Sequence, residues 1–417
     1  MSARPDAQRV VITGMGLVTP IGIGREEVWA AALAGRSGAG PITRFDCSDM
    51  PVKIACEVTD FVPEDFMDRR SLRRTDRFAQ MAVAAGRIAL ADAGLEINGD
   101  GRRVGAAVAT GSGGNETFEE HHRVLLERGP DRLPPTAVPI QILNMGAGQV
   151  SMALGLRGPT SCAVTACASS GHAIGDAAEQ IRRGAADVML AGGAEAGVTR
   201  FCMAGLDATR ALSRSSGPPE AASRPFDRGR DGFVMGEGAV LLVLESLAGA
   251  RARGATILAE LAGYAATADA HHVTEPDPTA EPQARVMTEA IADAGLEPED
   301  IGYVNAHGTS TPTGDPTEIL AVRIALGDRA ATTPLSSTKS MHGHCMGATS
   351  ALEAAITALA ILDGRVPPTI NLDDLDPECQ GVDHVREARP APLRAALTNS
   401  FGFGGHNAAL VVTGPPE

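Results

Sequence analysis

Short apolar runs alternate with helical patterns along almost the whole chain, and this alternation restricts the fold more than any other feature. The runs fall at residues 9–18, 104–111, 187–195, 239–245, 256–264, 301–306, 395–399 and 408–413. Between them, small apolar residues recur at the three-to-four spacing of an amphipathic helix over 78–93, 168–183, 284–294, 315–326 and 348–362. Strands that alternate with helices pack as a layered α/β structure. Gly94, Gly184, Gly295 and Gly327 follow four of these helices, where a residue free to take positive φ ends a helix.

Length sets the number of cores. A single core stops growing near about 250–300 residues, so a chain of 417 residues predicts two halves, 1–250 and 251–417, with the junction near 249–254. A Ser/Thr-rich turn enters an Ala-rich helix at 165–183 and again at 336–362, which points to internal duplication. With 48 glycines and only 3% aromatic residues, the core is expected to be Ala, Val, Leu and Ile, with many close backbone approaches. The Pro-, Ser- and Gly-rich stretch 213–230 is expected as a surface loop.

Charge and cysteine usage exclude several function classes. The balance of 36 Lys and Arg against 51 Asp and Glu gives a net charge of −15, which argues against general nucleic-acid binding but leaves room for a local basic patch. No long uninterrupted apolar stretch stands out, and the first eight residues are polar, so a cytoplasmic chain that neither crosses nor binds a membrane is expected. The seven cysteines are scattered and form no C-x-x-C pair. Neither a disulfide framework nor a thiolate zinc site is predicted from that spacing.

Four segments carry chemistry. Cys167, in Thr165-Ala166-Cys167-Ala168-Ser169-Ser170-Gly171, stands directly before a predicted helix. The positive end of that helix lowers a thiol pKa and makes a nucleophile; on this segment alone, a buried inert thiol is an equal reading. His307 follows an apolar run, at a strand end where α/β sheets place ligands, and Thr309 and Thr311 are suited to hydrogen-bond a polar ligand arm. The segment from Ser336 to His344 leads from a strand into a helix, so Lys339 and His344 are placed on one cleft with Glu353 behind them; a solvated lysine and a capping histidine are the alternative. Asn399-Ser400-Phe401-Gly402-Phe403-Gly404-Gly405 sets glycines around an aromatic pair, as an amide-donating loop or a tight bulge requires.

Together these segments resemble the elongating β-ketoacyl-acyl-carrier-protein synthases, both those of fatty-acid synthesis and their type II polyketide relatives. The likeness runs from Arg9-Val10-Val11-Ile12-Thr13-Gly14-Met15-Gly16, through Ala191-Gly192-Gly193-Ala194-Glu195 and Ser223-Arg224-Pro225-Phe226-Asp227, to the C-terminal glycine loop. It implies a thiolase-like fold, two duplicated βαβ halves in an α-β-α-β-α stack. It also implies decarboxylative Claisen condensation, with Cys167 as acyl acceptor and His307 and His344 as donors to the enolate. Lys339 and Glu353 are implied as electrostatic support, the amides of Cys167 and Phe403 as an oxyanion hole with Phe403 as gate, and Thr309 and Thr311 as contacts of the phosphopantetheine arm. Gly114 is implied in the acyl pocket, and Arg70, Arg73, Arg74 and Arg210 in docking the acyl carrier protein, the first three on one helical surface. No cofactor or metal is implied, since substrates arrive on the carrier's arm. The family also implies a homodimer, or a heterodimer with a chain-length-factor subunit, with 134–145 at the interface.

Two segments depart from the housekeeping pattern, Ala168-Ser169-Ser170-Gly171 and Cys345 through Ala351. They keep a type II polyketide or polyene ketosynthase as the alternative. An acyl-carrier-binding scaffold without turnover is the non-enzymatic alternative.

Overall fold

The computed structural model describes residues 4–97, 99–391 and 393–416. Two five-strand units share one connectivity. In the first, the sheet order is Thr160–Ser161, Val104–Ala109, Val188–Glu195, Gly238–Ser246 and Val10–Thr19. In the second, it is Pro334–Ser336, Ile301–Asn305, Ala395–Gly402, His406–Thr413 and Ala259–Ala268. Counted along the chain, both read third, second, fourth, fifth, first. In each, the first two pairings are parallel and the last two antiparallel. The duplication expected from two similar turns thus extends to strand order and direction.

The two sheets meet at a narrow seam, where Val10, Val11 and Ile12 pair with Leu261, Glu260 and Ala259. Helices Ser169–Arg182 and Thr349–Asp363 lie between the units and pack on strands of both. Helices Arg77–Asp92 and Met145–Leu154 cover the outer face of the first unit, and Glu281–Asp293, with Gly314–Leu326 packed beside it, that of the second. This is the α-β-α-β-α order of a thiolase-like fold. Glycine lets each outer helix close on its sheet. A Cβ on Gly16 would lie 1.8 Å from the Ala85 carbonyl oxygen, and one on Gly263 would lie 2.2 Å from that of Ala290. The segment Met346–Asp363 is apolar enough to span a bilayer by length and composition, but 83% of it is buried within the protein, where a helix enclosed by two sheets has no polar face to present.

Gly94, Gly184, Gly295 and Gly327 all take positive φ, as helix-ending residues do. Between the two units, residues 247–252 form a short helix, Leu247–Ala252. The stretch 213–230 meets the expectation of a surface loop only in its first half, where Arg214, Ser216, Gly217, Pro218 and Glu220 are exposed, and then turns inward. Ser223, Phe226, Asp227 and Arg230 are buried, the Phe226 N–H donates to Asp315 Oδ2 at 2.8 Å, and Arg230 Nε donates to the Thr311 carbonyl at 3.0 Å. Arg224 and Arg230 thereby serve an interface with the loop after His307 rather than water.

Candidate active site

Cys167 occupies a 3-10 turn, Ala166–Ala168, at the entrance to the central helix Ser169–Arg182. Ala166 has φ 51°. Ser169 Oγ closes the turn by accepting from the Thr165 N–H at 2.8 Å and donating to the Ala166 carbonyl at 2.6 Å. The second unit holds the same turn from the other side: Ser350 Oγ donates to the Cys167 carbonyl at 2.9 Å, and the Ala351 N–H donates to Ser170 Oγ at 3.0 Å. Cys167 is therefore buried where both central helices begin.

His344 is fixed by its backbone, whose N–H donates to the Val234 carbonyl at 2.8 Å and whose carbonyl accepts from the Gly236 N–H at 2.9 Å. Its Nε2 lies 2.9 Å from Cys167 Sγ, and its Nδ1 lies 3.0 Å from Thr349 Oγ1. A hydroxyl donates or accepts as needed, so Thr349 serves either tautomer of the ring. His307 follows strand Ile301–Asn305. Its N–H and that of Gly308 donate to the two oxygens of Glu318 at 2.7 and 2.6 Å, and the Asn399 side chain donates to the same carboxylate. The two imidazoles stand edge to face with ring centres 5.6 Å apart.

Lys339 corrects one expectation. It does not share the cleft with His344 but lies behind it, 1% exposed, with Nζ 2.5 Å from Glu353 Oε1. Its charge still reaches the site. Burial first, and the Lys339 ammonium second, push His307 and His344 well below the ordinary imidazole range. Both rings are neutral at pH 7. Burial pushes Glu353 upward and Lys339 pulls it back; burial likewise raises Glu318 to about 7 against its N–H donors.

The thiol corrects a second expectation. Burial pushes Cys167 up to about 11, although Lys339 and the N–H groups of Phe403 and Cys167 itself all favour the thiolate. Removal from water outweighs the start of the helix here. The resting pair is a neutral thiol beside a neutral imidazole.

The glycine loop serves both roles offered for it. Gly404 and Gly405 turn at φ 83° and 73°, and a Cβ on Gly402 would stand 2.6 Å from the Thr165 carbonyl oxygen. The tight bend therefore brings the Phe403 amide to the sulfur. One cavity is lined by Cys167, His307, His344, Phe403, Thr309 and Thr311, with Arg210 also on its wall. Thr309 and Thr311 place their hydroxyl oxygens 3.0 Å apart.

Other predicted residues fall elsewhere. Arg70, Arg73 and Arg74 are exposed and unpaired among the described residues, but helix Arg69–Leu72 has one turn only, so they share a turn rather than a helical face. Gly114 does not line the cavity around Cys167. A Cβ there would lie 2.7 Å from Gln141 Cα and 3.2 Å from Asp76, so the space a side chain would take is filled by backbone. In 134–145, Val138 and Leu143 are 60% and 36% exposed.

Two carboxylates escaped the sequence reading as site residues. Glu318 organises the His307 turn from eleven positions downstream, and only the acidic residues Asp315 and Glu318 on the buried face of helix Gly314–Leu326 hinted at it. Glu195 accepts from the Gly111 N–H at 2.6 Å and the Gly347 N–H at 3.0 Å, joining the first unit to the turn after His344.

Residues 7–250 match a family model described as beta-ketoacyl synthase, N-terminal domain, and 258–373 match its C-terminal domain. The chain is 47% identical over 412 residues to a 3-oxoacyl-acyl-carrier-protein synthase 2 of Synechocystis sp., covering 98% of each. A solved structure titled the ishigamide ketosynthase/chain length factor is 39% identical, with TM-score 0.92, over 98% of this chain and 99% of that one. Another, a type II polyketide acyl-carrier protein in complex with its ketosynthase bound to the hexaketide, is 33% identical with TM-score 0.89, again over 98% and 99%.

Proposed function

The chain belongs to the beta-ketoacyl synthase family, and from that membership we propose that it is a cytoplasmic 3-oxoacyl-acyl-carrier-protein synthase that lengthens fatty acyl chains by two carbons. The observation that carries the proposal is the convergence of Cys167 Sγ, His307 and His344, with one ligating atom of each within 4.8 Å of the others.

Acylation begins as Cys167 attacks the thioester of an acyl carrier protein. Because thiol and imidazole are both neutral at rest, His344 Nε2 accepts the thiol proton as the sulfur attacks, and the proton leaves on the carrier's thiol. The amides of Cys167 and Phe403, already directed at the sulfur, hold the carbonyl oxygen as it gains charge. In the second step, malonyl-carrier loses carbon dioxide. Its enolate oxygen accepts hydrogen bonds from His307 and His344, and its carbon attacks the acyl group on Cys167, releasing the sulfur. His344 needs its proton on Nε2 for this step and off Nε2 for the first, which the Thr349 hydroxyl permits by reversing its bond to Nδ1. Burial first, and Lys339 second, keep both rings neutral, so they act as donors rather than cations. Thr309 and Thr311 hold the phosphopantetheine arm, and exposed Arg70, Arg73, Arg74 and Arg210 attract the acidic carrier to a chain of net charge −15.

A second reading, a type II polyketide ketosynthase paired with a chain-length factor, is supported by the likeness to the ishigamide ketosynthase/chain length factor. In both readings, a partner covers the exposed Val138 and Leu143. The purified chain is incubated with acyl-carrier and malonyl-carrier, and the products and the protein are weighed by intact mass. Condensation by the chain alone, absent in Cys167→Ala, is expected. Activity only after a chain-length-factor subunit is added favours the second reading, and a Cys167 that is never acylated defeats both in favour of a binding scaffold.

A further inference from the structure

The spacing of cysteines argued against a thiolate zinc site, since no second cysteine stands near Cys167 in the chain. Folding supplies other donors. Cys167 Sγ, a ring nitrogen of His307 and one of His344 all lie within 4.8 Å of one another, and the three residues are 4%, 8% and 1% exposed. A sulfur and two imidazoles on one cavity wall form a donor set favoured by zinc-class cations.

We propose that this cluster binds a zinc-class divalent cation through Cys167, His307 and His344, with the fourth position open to the cavity, and that binding blocks acylation of Cys167. The metal site rests on the placement of these atoms alone, whereas the block of acylation rests on the synthase reading.

Geometry carries it in three ways. Zn–N bonds of about 2.0–2.1 Å and Zn–S bonds of about 2.3 Å set neighbouring donors of a tetrahedral ion roughly 3.3–3.8 Å apart. The 2.9 Å between His344 Nε2 and Cys167 Sγ thus needs only a small widening. Among the described residues neither ring nitrogen of His307 has a hydrogen-bond partner, so the one that faces the sulfur is free to take a ligand. Finally, Thr349 Oγ1 accepts from His344 Nδ1–H in one of the two tautomers it serves, and in that tautomer it is the outer partner of a metal-bound imidazole, with the Nε2 lone pair toward the sulfur. Lys339 opposes a cation, but its charge is paired with Glu353 at 2.5 Å. On binding, the S–H bond breaks, a metal–sulfur bond forms, and the proton leaves through the cavity to solvent. No electron is transferred.

The full chain, freed of metal with a chelator, is titrated with cobalt(II) and followed by absorption. One equivalent should produce a thiolate-to-cobalt charge-transfer band that is absent from Cys167→Ala and from Cys167→Ser, the second variant preserving the packing of the turn. His344→Ala should weaken binding by more than about 100-fold, beyond the 10–100-fold that loss of an outer partner costs. One equivalent of zinc should bleach the band and protect Cys167 from iodoacetamide and from acylation until a chelator is added. A wild-type protein without the band, or a band that survives in both Cys167 variants, overturns the site; zinc bound through Cys167 with acylation undiminished overturns the block. Condensation is scored separately. Protein that condenses but takes no cobalt defeats the metal site alone, and protein that takes cobalt through Cys167 but never condenses defeats the synthase reading alone.

Discussion

The two five-strand units have the same connectivity yet contribute different chemistry. Each enters its central helix through a 3-10 turn whose first residue has positive φ, Ala166 at 51° in one and Met346 at 43° in the other. The middle residue of that turn is Cys167 in the first unit and Gly347 in the second. After the corresponding strands, a loop is gripped by a buried carboxylate, Glu195 on Gly111 and Ser112 in one and Glu318 on His307 and Gly308 in the other. The duplicated frame sets where the backbone goes. The reactive side chains occupy the positions where the two copies differ, with the thiol from one and the imidazoles, lysine and paired carboxylate from the other.

The sharpest test of that division removes the second unit's donors while sparing the first unit's thiol. His307→Ala and His344→Ala should each lower malonyl-carrier decarboxylation by about 10²–10⁴-fold, measured as carbon dioxide release, with Cys167 still open to iodoacetamide. Loss of labelling along with decarboxylation would mean that the units do not divide the work. A second test asks how much the imidazole alters the thiol at rest. With Cys167 pushed up to about 11 by burial, its thiolate fraction, and with it the alkylation rate, should rise about tenfold per pH unit between pH 7 and 9, because the thiolate is the nucleophile. A rate already level at pH 7 would instead show a thiolate–imidazolium pair.

The glycine of the second turn offers a third test. A Cβ on Gly347 would stand 2.3 Å from the Gly111 nitrogen and 2.5 Å from the Thr110 carbonyl carbon, both backbone atoms that move only with the sheet. Gly347→Ala should destabilise the protein by about 1–3 kcal/mol, as overpacking does, in denaturant unfolding followed by circular dichroism. An unchanged midpoint would mean the two turns are not held alike. The smallest effect is expected at the surface of the first unit. Arg73→Glu with Arg74→Glu should raise KM for acyl-carrier a few-fold, as loss of about 1 kcal/mol of exposed attraction does, without altering acylation by a small thioester.

Much of this was legible in the residues. The alternating runs and the repeated turn pointed to duplicated halves, and Cys167, His307 and His344 stood in segments whose surroundings matched their chemistry. What escaped depends on neighbours distant in the chain. Gly114 resembled open space because Gln141, whose backbone fills it, lies in another helix. The acidity of Cys167 was misjudged because a helix start is visible locally, whereas burial by two units is not. Glu318 resembled one more helix residue until the fold turned it beneath the amides of His307 and Gly308. The stretch 213–230 carried the composition of a surface loop; its first half is one, but Ser223, Asp227 and Arg230 are satisfied inside the protein.

The clamp on Cys167 from both sides also orders events during synthesis. His344 follows Cys167 by 177 residues, and ribosomes add about 5–20 residues per second, so the sulfur precedes its proton acceptor by roughly 9–35 seconds. Ser350, which ties down the Cys167 carbonyl, emerges later still. A nascent first half therefore displays a thiol with neither its base nor the second-unit clamp on its turn until residues 344 and 350 have been made.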